Sequence, residues 1–298
     1  MTIDAHPELP DFDYIRPANL NEASRFLADH VGEARPLLGG TDIFVRMRDG
    51  FWKEKYLVDV KHLDGTANLV FDTVDGLTIG AGVNMNRVIA SPQVQEYFPL
   101  LAQACRSVAS YQLRSRATIV GNVCNASPAG DTIGACMVLE GVLDVYGLGG
   151  PCQVPLSDFF RGPGKTVLNP GDIATAIHFK KPPHGSSGTY IKLGRNKLSD
   201  LAIVGVTVFG FPDDQAASGY RFRIALASVA PVPLRVPSAE EYLAANPISP
   251  EAFMQAGRLA QEACNPIDDV RGSARYRKAM VRNLVEKALE MVWKKIGS

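Results

Sequence analysis

Residues 37–42 read Leu37-Leu38-Gly39-Gly40-Thr41-Asp42, between a short apolar run at 35–38 and a segment of helical character over 43–48. An apolar strand, two glycines and a helix start define a strand-to-helix turn. Two glycines permit positive φ and let a ligand approach the backbone. Successive amides entering a helix form a nest for an anion. A pyrophosphate fits such a turn without any lysine or arginine. The plainer alternative is a corner made by Gly-Gly, with Asp42 capping the helix that follows.

A second stretch carries the same chemistry. Residues 114–131 run Arg114-Ser115-Arg116-Ala117-Thr118-Ile119-Val120-Gly121-Asn122-Val123-Cys124-Asn125-Ala126-Ser127-Pro128-Ala129-Gly130-Asp131. They read as a long loop between helices, with no clean period from 110 to 131. Long loops in compact domains are usually functional or disordered, and the apolar Ile119, Val120 and Val123 favour order. Short amides and hydroxyls beside glycine suit a polyhydroxylated, phosphorylated ligand. A self-satisfied loop of Asx and Ser turns is the alternative.

Outward from these loops the chain is mixed α and β. Residues 19–30 place Leu20, Ala23, Phe26 and Leu27 on one helical stripe behind an Asn19 or Asn21 cap. Strands are expected at 56–60, 77–81 and 142–146, and helices over 84–109, broken at Ser91-Pro92 and Phe98-Pro99, and from 131 to about 140. Pro and Gly cluster at 181–187, a boundary signal. Beyond it come alternating strands at 189–193, 202–211 and 220–230, with a hairpin turn at 213–219 and a close at Pro231-Val232-Pro233. Helices at about 238–245, 249–264 and 273–296 finish the chain. The last has a basic, solvated face including Arg275, Arg277, Lys278 and Arg282, and an apolar stripe of Met280, Leu284, Ala288 and Met291. The expected fold class is α+β: a first domain over 1–180, with subdomains about 1–60 and 61–180, and a second over 187–298 of antiparallel sheet plus helices.

Composition narrows the function. The 298 residues carry 31 Lys+Arg against 31 Asp+Glu, a formal net charge of zero. Such balance gives no broad basic field for nucleic acid or an anionic membrane. No apolar run approaches the roughly 20 residues of a membrane helix. The acidic, Pro-containing N-terminus lacks the apolar core of a signal peptide, so a cytoplasmic location is expected. Five cysteines at irregular spacing form neither a disulfide framework nor a metal knuckle, and most read as buried filler. The five histidines are scattered, without ligand spacing for a metal. No G-x-S-x-G elbow, dinucleotide fingerprint or P-loop is present.

The two loops, in this order and separation, resemble the flavin-binding medium subunit of the molybdenum hydroxylases, the family of carbon monoxide dehydrogenase and xanthine dehydrogenase. The resemblance spans the chain. It opens on Phe12-Asp13-Tyr14-Ile15-Arg16-Pro17 and Leu20-Asn21-Glu22-Ala23, continues through both loops and the segment from Tyr190 through Lys197, Leu198 and Ser199 to Ala202, and ends on Gly272-Ser273-Ala274-Arg275-Tyr276-Arg277.

The resemblance implies a two-subdomain FAD-binding module of the vanillyl-alcohol-oxidase (PCMH-like) type. Leu37, Leu38, Gly39, Gly40, Thr41 and Asp42 would wrap the FAD pyrophosphate. Thr118, Gly121 and Asn122 would hold the diphosphate and ribityl chain, and Asp131 the ribityl hydroxyls. Lys192 would approach the flavin ring, with Val108 and Ala109 beside the isoalloxazine. It also implies partners: a small iron–sulfur subunit with two 2Fe–2S clusters and a large subunit with the molybdopterin cofactor, in a dimer of heterotrimers. Electrons would pass from those clusters through this FAD to an external acceptor. No catalytic residue and no cluster is expected in this chain.

Two departures accompany the likeness. Val120 stands where the family usually has glycine, which is compatible with FAD only if its φ is negative and its side chain points away from phosphate. The Val108 position is aromatic in some relatives. Two other functions stay open on sequence: a stand-alone FAD oxidoreductase, for which the part after Lys181 is small, and a non-catalytic assembly subunit that has lost FAD, toward which only Val120 points.

Overall fold

A computed structural model describes residues 8–196 and 200–297. Residues 1–7, and Lys197, Leu198 and Ser199 from the family-like segment, lie outside the described residues.

The chain begins with a parallel three-stranded sheet in the order Asp13–Ile15, Tyr56–Asp59, Ala34–Leu37. Adjacent residues of its central strand point to opposite faces. Val58 packs with Ala23 and Leu27 of the helix Leu20–Asp29, whereas Leu57 packs with Leu37 and with Met47 of the helix Ile43–Arg48. Both faces are therefore covered, as parallel strands require. Asn19 caps the first helix, its side-chain oxygen accepting from the Glu22 amide at 2.9 Å.

A five-stranded antiparallel sheet follows, in the order Leu69–Asp72, Gly76–Gly80, Ile173–Phe179, Val142–Gly147, Gly150–Pro155. Its buried face meets a block of short helices and forms the largest core. Those helices, Met85–Ala90, Pro92–Tyr97 and Pro99–Ser107, break at the expected prolines because each proline is acceptable only in a first turn. Phe160–Gly162 and Lys165–Thr166 add a small hairpin. The third sheet is antiparallel, Ser187–Leu193, Val204–Pro212, Tyr220–Ala227, Leu234–Arg235, backed by the helices Pro237–Ala245, Pro250–Ala263 and Ala274–Ile296. The α+β class stands.

Several expectations change. The stretch 110–131 is not one loop: it contains the helices Tyr111–Arg114 and Ile119–Cys124, too short to display a period. Pro231-Val232-Pro233 does not close the last sheet, since Leu234–Arg235 adds a strand. On the final helix the buried stripe is Val281, Val285, Leu289, Val292 and Ile296 with Ala288, while Met291 is exposed. Arg277, expected on the solvated face, is 2% exposed and donates to the carbonyls of Ile203 and Ser228 and to Asp269. No helix among the described residues is long and apolar enough to cross a membrane.

Candidate functional site

The two loops singled out by sequence meet in one cleft. The first leaves the strand Ala34–Leu37, turns through Gly40 at φ +73°, and enters the helix Ile43–Arg48. The second begins at Thr118, whose extended backbone starts the helix Ile119–Cys124 and whose hydroxyl accepts from the Gly121 amide at 2.9 Å. Close backbone approach joins them. A Cβ on Gly39 would overlap the carbonyl oxygen of Arg116 and stand 2.9 Å from its carbon. A Cβ on Gly121 would stand 2.8 Å from the Thr118 hydroxyl. Asn125 Nδ2 then donates across the gap to Asp42 Oδ1 at 3.1 Å.

That last bond separates the two readings of the Gly-Gly turn. Asp42 makes no side-chain capping bond to its own helix. The amides of Gly39, Gly40, Thr41 and Asp42 donate to no acceptor among the described residues. Four consecutive amides without a protein acceptor beside a cleft can serve as an anion nest; of the four residues Gly40 is buried, Gly39 and Thr41 are half-buried and Asp42 is exposed. Arg35 is the cation in the lining of the cleft, and it is paired with Glu54 at 2.6 Å and stacked on Trp52 at 3.7 Å. Binding of an anion here therefore falls to the backbone. The lining also includes the apolar Met85, Val108, Leu113 and Ala174, together with Asp172. A ligand that carries both phosphates and a flat apolar ring matches such a mixed lining.

Nine of the residues singled out line the cleft: Leu38, Gly39, Gly40, Thr41, Asp42, Val108, Thr118, Gly121 and Asn122. Asn122 has its oxygen engaged by the Thr132 hydroxyl at 2.6 Å, so its NH₂ group is the part left for a ligand. Leu37 does not line it; this side chain is 3% exposed and belongs to the strand's core. Ala109 does not either, but its neighbour Val108 does, and Ala109 holds a left-handed φ of +37°.

Asp131 and Lys192 come together, yet with each other. Lys192 Nζ lies 2.7 Å from Asp131 Oδ2, and Tyr190 donates to Asp131 Oδ1 at 2.6 Å. Burial pushes the Asp131 carboxyl up, and the Lys192 ammonium and the two hydrogen bonds pull it back. Burial and Asp131 also raise the Tyr190 phenol far above its ordinary range. The strand Ser187–Leu193 thus reaches back to the helical block, and Lys192 Nζ also donates to the Ser107 carbonyl at 3.2 Å.

Val120 meets both conditions set for it. It lies inside a helix, is not among the non-glycine residues at positive φ, and is fully buried in the main core. Its side chain faces away from the cleft. Of the cysteines, Cys105, Cys136 and Cys264 are buried, Cys124 lines the cleft and Cys152 is exposed on an edge strand. Sequence reasoning missed Arg35, Trp52 and Tyr190. The alternation of Tyr190 with Lys192 on a strand was the available signal for the last.

Comparison with known proteins gives the family and the fold. Residues 10–182 match the family model described as the FAD binding domain in molybdopterin dehydrogenase, and residues 189–292 match the CO dehydrogenase flavoprotein C-terminal domain. The chain is 31% identical to the carbon monoxide dehydrogenase medium chain of Hydrogenophaga pseudoflava, over 95% of this chain and 98% of that one. It is 26% identical to a putative xanthine dehydrogenase FAD-binding subunit of Escherichia coli K12, over 93% and 94%. Among solved structures, carbon monoxide dehydrogenase from Hydrogenophaga pseudoflava lacking the Mo-pyranopterin moiety superposes with a TM-score of 0.92 at 30% identity, covering 97% and 99%. Reconstituted CO dehydrogenase from Oligotropha carboxidovorans gives 0.90 at 27% identity, covering 97% and 100%.

Proposed function

Because the chain belongs to the family of FAD-binding subunits of the molybdopterin dehydrogenases, we propose that it is the electron-transfer subunit of such an oxidoreductase, passing electrons between iron–sulfur clusters of a partner and an external acceptor. The observation that carries this reading is the row of amides from Gly39 to Asp42 without a protein acceptor, beside Gly39, whose Cβ would collide with the Arg116 carbonyl.

The residues fit FAD. Gly39, Gly40, Thr41 and Asp42 would hold the diphosphate through backbone N–H groups, with the Asn122 side-chain NH₂ completing that end and Gly121 leaving room for it. Thr118 holds the Gly121 amide in place, and the Asn125 side chain donates to the Asp42 carboxylate. Val108 and Met85 would exclude water from the ring end. When bound, FAD supplies a carrier that takes electrons singly and delivers them in pairs, which suits a junction between one-electron clusters and a two-electron acceptor. No acid, base or nucleophile of this chain is needed for that task. Asp131 and Lys192, being spent on each other, would act on the ring from behind the Val108 wall.

The partners follow from the same reading: a small subunit with two 2Fe–2S clusters and a large subunit with the molybdopterin cofactor, in a doubled heterotrimer. Five unpaired thiols support a cytoplasmic setting. The assembly-subunit alternative loses its basis, because Val120 does not enter the cleft.

The test is purification of the chain with whatever accompanies it, followed by metal analysis and anaerobic reduction. Two further chains carrying iron and molybdenum, and bleaching of the flavin absorbance only when the iron–sulfur chain is present, are expected. A chain that purifies alone, or a flavin that reduced clusters never bleach, would overturn the proposal.

A further inference from the structure

The helix Pro99–Ser107 points its C-terminus at the cleft, and Val108, its capping residue, forms part of the wall. The last carbonyls of a helix carry the negative end of its dipole, equivalent to about half an elementary charge. Left bare, they would face whatever lies against Val108. They are not bare. Arg114 Nη1 donates to the carbonyls of Arg106 at 3.2 Å and Val108 at 2.7 Å, and it lies 3.5 Å from the carbonyl of Ala109. From the opposite side, and from the other half of the chain, Lys192 Nζ donates to the Ser107 carbonyl. Two cations thus take three consecutive carbonyls and approach a fourth.

The two cations differ. Lys192 is neutralised by Asp131. Arg114 has no carboxylate within 4.0 Å among the described residues, and its Nε is buried without a partner. Its field reaches inward as far as Cys105, whose thiol it opposes burial in raising. Arg114 is therefore a half-buried positive charge behind this wall, held by carbonyls and without a carboxylate; Arg106, on the capped helix, also lacks one among the described residues, but it is exposed. It also holds the strained turn, because Ala109 keeps a left-handed backbone that a residue with a Cβ adopts only when its surroundings enforce it.

We propose that Arg114 is a positioning residue for the flavin: by capping the carbonyls of Arg106 and Val108 it fixes the Val108 wall, and its unpaired charge favours the reduced, more negative ring on the far side. The inference rests on the FAD reading above. It makes Arg114, more than Lys192, the chain's cation that tunes the ring.

The experiment uses the FAD-loaded complex and compares Arg114→Gln, which keeps donors and loses the charge, with Arg114→Lys, which keeps the charge. The parent complex is assayed for FAD first, so that absence of flavin there sinks the FAD reading and not this one. At a fixed redox poise, the ratio of reduced to oxidised flavin is expected to fall about tenfold in Arg114→Gln, the effect of roughly one unit of charge–charge interaction. Arg114→Lys should stay within about twofold of the parent on the same basis. A Gln variant that matches the parent, or a Lys variant that falls as far as Gln, overturns the proposal; the second pattern is that of a purely structural cap. If Arg114→Gln yields no folded complex, the double variant Lys192→Gln/Asp131→Asn is read in its place. It removes the pair without leaving a bare carboxylate, so it should move the ratio less than twofold, and a tenfold fall there assigns the tuning to the Lys192–Asp131 pair instead.

Discussion

Gly39 rests its Cα against the carbonyl of Arg116, so the two loops that form the cleft are in backbone contact with no room for a methyl group between them. One loop belongs to the parallel sheet and the other to the helical block. Their contact sets the depth of the nest that the Gly39–Asp42 amides line.

Gly39→Ala is therefore expected to push the loops apart. Overpacking of this kind costs about 1–3 kcal/mol. The variant should fold with a lowered Tm and lose its flavin on gel filtration under conditions in which the parent retains it. Flavin retained at the parent level would show that the loops' contact does not shape the site.

Val120→Gly restores the residue the family usually carries, yet Val120 belongs to the core. The substitution leaves a cavity and places glycine in a helix, a loss of about 2–4 kcal/mol. Denaturant unfolding should report that loss while the flavin content per folded chain stays unchanged. A gain in FAD affinity would mean that Val120 obstructs the cleft after all.

Ala109→Gly removes the left-handed strain at φ +37°. Strain of about 1–2 kcal/mol is relieved, less the extra chain entropy of glycine, so stability should rise by about 0.5–1 kcal/mol. Thermal unfolding checks it, and a drop in Tm would show that the turn carries no strain.

Asp269 gives the acid limit of the fold. Burial pushes its carboxyl up, but the Arg271 amide and the guanidinium groups of Arg277 and Arg271 outweigh that and hold it at about 2. A carboxyl with a depressed value stabilises the native state above its ordinary 3.8 and loses that contribution as pH falls toward about 2. Through Arg277 it bonds the Ser228 carbonyl, and the Ser228 amide bonds the Pro128 carbonyl at 2.7 Å, close to Asp131 in the chain. Asp269→Asn should be less stable than the parent at neutral pH, and the gap should close across that acid window. A gap independent of pH would show that Asp269 is not charged in the fold.

Much of this architecture was legible from the residues. Prolines at 92 and 99 cut the helices where expected, and alternation marked the strands of the last sheet. The strand Ile173–Phe179 was not, because a bulge between Ala174 and Ala176 breaks its period of two. Gly150–Pro155 was hidden by Pro151 and Pro155, which only an edge strand accepts. The cleft's polar lining could be read because glycines and short amides leave a signature in sequence. Arg114 could not, since its role depends on the end of a neighbouring helix, and for Tyr190 the alternation with Lys192 marked the face but not its partner 59 residues away. Arg277 misled for the same reason: a basic residue on an amphipathic helix looks solvated until its carbonyl partners are placed.

The central claim is that the Gly39–Asp42 nest holds the diphosphate of FAD, and the most direct measurement is titration of the flavin-stripped native complex with FAD and with riboflavin, which lacks the phosphates. FAD should bind near one per chain and at least about a hundredfold more tightly than riboflavin, the worth of roughly two to three charge-assisted hydrogen bonds. Equal affinity for the two, or no FAD bound, would contradict the account.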